Sequence, residues 1–263
     1  MSTNDTDMLQ QELDSGVLLL RLNRPQQRNA LHEPLQQALG AALSEAAESA
    51  SVRGVILTGA GEAFCAGGDL TRFEGERSSA AFRLQSYRLT QVIALIERIE
   101  KPVLAAINGL STGAGTQLAL ACDLRIAAAS ARFLVREGQI GLIPGHGGTA
   151  RLVRMVGLAR ARDIVLGGRD LSAEEALHYG LITAVVPDAQ LLDETRARLA
   201  DALRSAPQAY GMAKRLLLLA ASVDMESGLV AESFAQSLLV QSEDHQEGLR
   251  ARRERRPPRF TGT

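Results

Sequence analysis

The chain has 263 residues, of which 46% are hydrophobic, and its 29 basic and 30 acidic side chains leave a net charge of −1. A chain of this size can bury a large core, which excludes a disordered or fibrous protein, and its balanced charge gives no long-range attraction to nucleic acid or to a membrane surface. Cys65 and Cys122 make no disulfide framework, the start MSTNDTDMLQ lacks the apolar segment of a signal peptide, and no apolar run approaches the roughly 20 residues that span a bilayer. The expected setting is cytoplasmic and the expected partner is small.

In chain order, short β-rich runs alternate with helical patterns, the signature of strand–helix units around a largely parallel sheet. Residues 16–22 read as a strand. Residues 32–48 follow as a helix with an apolar stripe at Leu35, Leu39, Ala42, Leu43 and Ala46. The β-branched run 54–58 ends in Gly59-Ala60-Gly61, and residues 80–100 carry a second helical stripe through Val92, Ile93, Ile96 and Ile99. Pro102 opens a strand at 103–107, which leads through Asn108-Gly109 into a helix of small residues at about 113–121. Residues 124–128 and 133–135 are shorter strand candidates. After Leu142 the loop Pro144-Gly145-His146-Gly147-Gly148 intervenes, and from Thr149 onward the pattern is helical almost throughout. One helix there starts at Ser172 as N-cap with Glu175 three residues on. The Arg-rich stretch 250–259 is the one charge run, readable as a solvated face or as a phosphate contact.

The segment NGLSTGAGTQL, residues 108–118, supports three chemistries that exclude one another. Gly109-Leu110-Ser111-Thr112-Gly113 fits the nucleophile turn of a serine hydrolase, with Ser111 as nucleophile. Against this, the later histidines His146, His178 and His245 do not stand in strand-end loops, and no glycine-rich oxyanion loop precedes Ser111. Gly113-Ala114-Gly115 with Glu137 downstream begins like a dinucleotide fingerprint, yet Leu118 occupies the place of the third glycine. The third reading joins this segment to Ala63-Phe64-Cys65-Ala66-Gly67-Gly68-Asp69-Leu70, whose small residues let backbone N–H groups approach a ligand.

With that loop included, the chain resembles the enoyl-CoA hydratase/isomerase (crotonase) superfamily. The loop resembles its AFCAGxDL motif, and 102–118 resembles its KPVIAAINGxAxGGGxxL segment. Arg24-Pro25 with Arg28-Asn29-Ala30-Leu31, Phe133 with Glu137, Ile143-Pro144-Gly145 with Gly147-Gly148-Thr149 and Arg151-Leu152, and 176–181 continue the match in order from about residue 16 to 260.

The resemblance implies an α/β fold, the crotonase-type spiral of ββα units over 1–200 with a helical C-terminal oligomerisation region over 201–263, assembled as a homotrimer or a dimer of trimers. It implies an acyl-CoA thioester as substrate, with coenzyme A a part of that substrate, no separate cofactor and no metal. The backbone N–H groups of Gly68 and Ala114 would form the oxyanion hole. Ala66 and Leu70 would meet the adenine, and Arg28 and Arg255 the phosphates, Arg255 from a neighbouring subunit. Of the two acids that hydratases of this family use, the first position is Gln117, an amide that can orient but not accept a proton, and the second is Glu137. A single carboxylate resembles the isomerase branch, so double-bond isomerisation with Glu137 as acid/base is the favoured expectation. Hydration with Gln117 orienting water is the alternative, and a CoA-ester binder without activity remains behind it. Arg136, where the family often has Pro, would depress the Glu137 pKa if it pointed inward, and Ala114, where the family usually has Gly, would be strained if its φ were positive.

Overall fold

The computed structural model describes residues 8–70 and 78–263. A six-stranded sheet is built from β1 (Leu9–Asp14), β2 (Val17–Leu22), β3 (Gly54–Gly59), β5 (Val103–Ile107), β7 (Leu124–Ala128) and β10 (Ala184–Val186), in that spatial order. β1 and β2 pair antiparallel, and every later neighbour pair in this sheet is parallel. All six residues of β3 are buried, because a central parallel strand is covered on both faces and shows no alternation. One face receives α1 (Glu33–Glu48), α2 (Ser79–Arg98) and α3 (Ala114–Ala121), which close over the main core around Leu20, Leu35, Leu57, Ile93 and Leu118. The other face is covered by α6 (Leu191–Ala202), whose Leu191 and Leu199 pack with Leu19, Ile56, Leu104 and Ile126.

A second, smaller sheet contains β4 (Ala63–Cys65), β6 (Leu110–Thr112), β8 (Arg132–Leu134) and β9 (Leu171–Ser172) in that order. β4, β6 and β8 run parallel, with Ala63 opposite Leu110 and Thr112 opposite Leu134. The spiral therefore alternates, each turn contributing one strand to the large sheet and one to the small sheet. The segments that follow β4, β6 and β8 leave the small sheet side by side at its carboxyl edge.

Beyond the loop after β8, α4 (Gly148–Val165), α5 (Ala173–Tyr179), α6, α7 (Pro207–Ala220), α8 (Met225–Leu239) and α9 (Glu243–Glu254) make the second half mostly helical. The expected capping box is present in full: Glu175 N–H donates to Ser172 Oγ, and Ser172 N–H donates to a Glu175 carboxylate oxygen. The almost wholly helical pattern expected of this half is interrupted at β9 and β10. Each is three residues or fewer and exists only because a neighbouring strand, β8 or β7, supplies its ladder. No helix among the described residues is long and apolar enough to cross a membrane.

Candidate active site

The three parallel strands of the small sheet assemble the site. β4 runs into Ala66-Gly67-Gly68, β6 into Gly113 and the start of α3, and β8 into the 3-10 turn Glu137–Ile140. Close approach of the first two segments needs glycine. Gly67 has φ 89°, and a Cβ there would lie 2.8 Å from the Thr112 carbonyl oxygen; a Cβ on Gly115 would overlap the Cys65 carbonyl oxygen. Gly113 takes the positive φ of the turn, 52°, so Ala114 is the first residue of an ordinary right-handed helix and carries none of the strain expected of it.

The Ala114 N–H, in the first turn of α3, lacks an intrahelical acceptor, and the Gly68 N–H has no partner among the described residues. Gly68 is fixed instead through its neighbours, by the bridge Leu31 to Gly68 and the bond from Leu31 N–H to Gly67 O at 2.7 Å. Behind that loop, Asn29 is fully buried. Its amide donates to the Ala60 and Ala63 carbonyls at 2.9 and 2.7 Å and accepts from the Arg24 N–H, while the Arg24 guanidinium reaches the Ala30 carbonyl and pairs with Asp69 at 3.3 Å.

Gln117 is buried one turn into α3, and its Nε2 donates to Glu137 Oε1 at 2.7 Å. This contact links the two positions that in sequence lie 20 residues apart. The amide oxygen of Gln117, Oε1, and the second carboxylate oxygen of Glu137, Oε2, are buried with no hydrogen-bond partner among the described residues. Burial pushes the Glu137 pKa above the usual carboxylate range, and the bonds from its own backbone N–H and from Gln117 offset part of that rise. Arg136 does not point inward. Its guanidinium grips the Asp170 carboxylate with two bonds, the Nε one at 2.8 Å, so the cation beside the base is engaged elsewhere.

Ala66, Gly67, Gly68, Leu70, Thr112, Gly113, Ala114, Gln117 and Glu137 all line one cavity of about 450 Å³. The structure thus brings six of the expected site residues together, namely Ala66, Gly68, Leu70, Ala114, Gln117 and Glu137. Arg28 and Arg255 lie outside its lining: Arg28, with φ 47°, borders a separate depression with Gln26 and Glu62, and Arg255 is the left-handed C-cap of α9. Ser111 is fully buried, its hydroxyl 3.2 Å from Thr116 Oγ1, with no histidine in reach, which removes the hydrolase reading. Sequence reasoning left His146 without a role, yet it lines the same cavity with its ring turned to Thr90 at 3.0 Å and its carbonyl held by Arg151. Its position just after Pro144-Gly145, in the loop that begins with Glu137, was the available signal. The family resemblance places the variable acyl pocket around residues 72–88, of which 72–77 lie outside the described residues. Cys65 and Cys122 are packing residues whose thiols burial pushes up to about 12.

The enoyl-CoA hydratase/isomerase family model matches residues 12–263. A probable enoyl-CoA hydratase of Rhodobacter capsulatus is 39% identical over 95% of this chain and 96% of its own length. The 1,2-epoxyphenylacetyl-CoA isomerase of Escherichia coli is 36% identical over 95% of this chain and 97% of its own. The crystal structure of an enoyl-CoA hydratase from Bacillus anthracis superposes with a TM-score of 0.93 at 37% identity, covering 98% of this chain and all of that one.

Proposed function

Given that the chain belongs to the enoyl-CoA hydratase/isomerase family, we propose that it isomerises the double bond of an enoyl-CoA thioester, with Glu137 as its single acid/base. The observation that carries this reading is that Glu137 is the one carboxylate lining the cavity among the described residues, on the same cavity as two backbone N–H groups free to receive an oxyanion. With the thioester oxygen on the Gly68 and Ala114 N–H groups, removal of the C2 proton of a 3-enoyl ester moves charge onto that oxygen. Each preorganised donor there is worth about 3 to 4 kcal/mol in the transition state, and the N-terminus of α3 adds its dipole. Glu137 takes the proton from C2 and returns it at C4 of the dienolate. Its raised pKa suits both steps, since a desolvated carboxylate is a stronger base and its conjugate acid is still able to give the proton back.

Hydration is the second reading, and a specific observation favours it. Gln117 Oε1 and Glu137 Oε2 are two buried acceptors with no partner among the described residues, each able to accept a proton from a water molecule once the site opens to one. In that role Glu137 would withdraw one proton as the water oxygen joins C3 and return that proton to C2 of the enolate. Incubation with 3-enoyl-CoA and 2-enoyl-CoA, with products identified, tests the choice. Faster conversion of the 3-enoyl ester than hydration of the 2-enoyl ester is expected; the reverse order gives the assignment to hydration.

The proposal extends to the assembly and to the phosphates. α8 presents Met225 and Leu229 to solvent on one side and Phe234 and Leu238 on the other, exposed apolar side chains that support a homotrimer or a dimer of trimers. Arg255, at the end of α9, is available to hold a CoA phosphate of a neighbouring subunit, and Arg28 one in its own subunit.

A further inference from the structure

The loop that supplies the base also supplies the wall against which the rest of the acyl group must lie. From Glu137 the chain passes through Gln139, Ile140, Leu142 and Ile143, and Phe82 of α2 faces the same cavity. Ile140 and Ile143 are 55% and 77% exposed, although both line a concave site beside the reacting carbons. Large apolar side chains left open in a concavity gain when an apolar ligand covers them.

Charge on this wall is confined. Among the described lining residues only Arg136 and Glu137 carry a formal charge. The Arg136 fork is filled by Asp170, which turns an anion toward any carboxylate that approaches it. His146 directs its Nδ1 to Thr90 Oγ1, whose own proton goes to the Ser86 carbonyl, so that the ring edge facing Thr90 is a donor already in use.

We infer that the acyl subsite selects an uncharged apolar chain of medium length, laid on Phe82, Ile140, Leu142 and Ile143, and rejects chains ending in a carboxylate because Asp170 occupies the one guanidinium among the described lining residues. The inference rests on the acyl-CoA reading of the site but not on which reaction follows. The cavity of about 450 Å³ also takes the CoA arm along Ala66 and Leu70, so the length preference is set by how many of these four apolar side chains the acyl group covers.

The test uses saturated esters, which have no double bond to move or hydrate. Dissociation constants of the full-length protein for butyryl-CoA, octanoyl-CoA and the mono-CoA ester of the eight-carbon diacid are measured by calorimetry, with free CoA as reference. Each fully buried methylene contributes roughly fourfold in affinity, so with partial burial octanoyl-CoA is expected to bind at least about tenfold tighter than butyryl-CoA. The diacid ester is expected to bind no better than butyryl-CoA. Ile143→Asp, at an exposed position, should reduce the octanoyl advantage to below about threefold, a loss of the apolar contact alone. Asp170→Asn should tighten the diacid ester several-fold and leave octanoyl-CoA unchanged. Equal affinity for butyryl and octanoyl esters, or for octanoyl and diacid esters, overturns the inference, as does binding of no ester better than free CoA. Octanoyl preference in a protein that turns over neither 2-enoyl nor 3-enoyl substrates would remove the proposed reaction and keep the subsite.

Discussion

The two walls of the active cavity are built in opposite ways. On the wall proposed to hold the oxyanion, the segments that follow β4 and β6 press together so tightly that the backbone has no room for a methyl group at Gly67 or Gly115. On the base wall, Cβ atoms added at Gly138, Gly141 and Gly145 would meet nothing within 4 Å. The first wall presents peptide groups whose geometry is set by a parallel ladder and by Asn29 and Arg24 behind it. The second presents side chains from a loop tethered at its two ends, by the Gln117 to Glu137 bond at one and by Arg151, which joins the His146 carbonyl to Glu97, at the other. Stabilising an enolate requires fixed dipoles, which a packed wall provides. Choosing what happens to the proton, and which acyl chain is held, is left to side chains that can differ without disturbing the core.

Substitutions on the two walls sharpen this contrast. The largest effect is expected at the base: Glu137→Gln should lower kcat by about 10³ or more while leaving CoA-ester affinity within about tenfold, because the proton carrier goes and the oxyanion wall stays. Steady-state rates and calorimetric binding of the same variant check it, and retained turnover would show that another group carries the proton. Next comes Gly67→Ala, which combines an unfavourable φ of 89° with a clash against the Thr112 carbonyl. A displaced Gly68 donor should cost about 10² in kcat, and the strain should also lower the melting temperature.

A smaller effect is expected from Gln117→Met, which removes the donor that holds the Glu137 pKa down. The sign follows from the base form being the ionised one. Activity is present above the Glu137 pKa and lost as pH falls through it, and loss of the bond raises that pKa. The acid limb of the kcat profile should therefore move upward, with several-fold loss at acidic pH and little at alkaline pH; an unmoved limb would detach Gln117 from the base. The smallest effect is expected from Gly138→Ala, less than about twofold in kcat and KM, since the new methyl meets nothing and the position does not need a positive φ. A loss there comparable to that at Gly67 would end the distinction between the walls.

How much of this was legible in the sequence depended on the range of the interaction. Residues 103–107 and 124–128 read as strands with the observed bounds, and the Ser172–Glu175 capping box read correctly, because periodicity and caps are local properties. β4 and β6, each of three residues, escaped because they lie inside the small-residue segments 63–70 and 108–118, neither of which reads as strand, whereas the equally short β8 carries Phe133-Leu134 and was found. β1 escaped for a different reason: all but its first residue are exposed, and the ladder to β2 is what holds it.

By itself, then, the amino-acid order determined the family, the alternating core and the identity of the two side chains proposed for proton transfer, Gln117 and Glu137. Those rest on residue types at fixed spacings, which a linear chain displays. Only the tertiary structure decided that Gly113 rather than Ala114 takes the positive-φ turn, that Gln117 meets Glu137 with a donor, and that Arg136 turns outward. The last depends on Asp170, 34 residues further on and one residue before β9 pairs with β8. Whether a guanidinium faces a base or an opposite charge is settled by the lowest electrostatic energy in the folded chain, and that quantity does not exist until strands distant in sequence have been laid side by side.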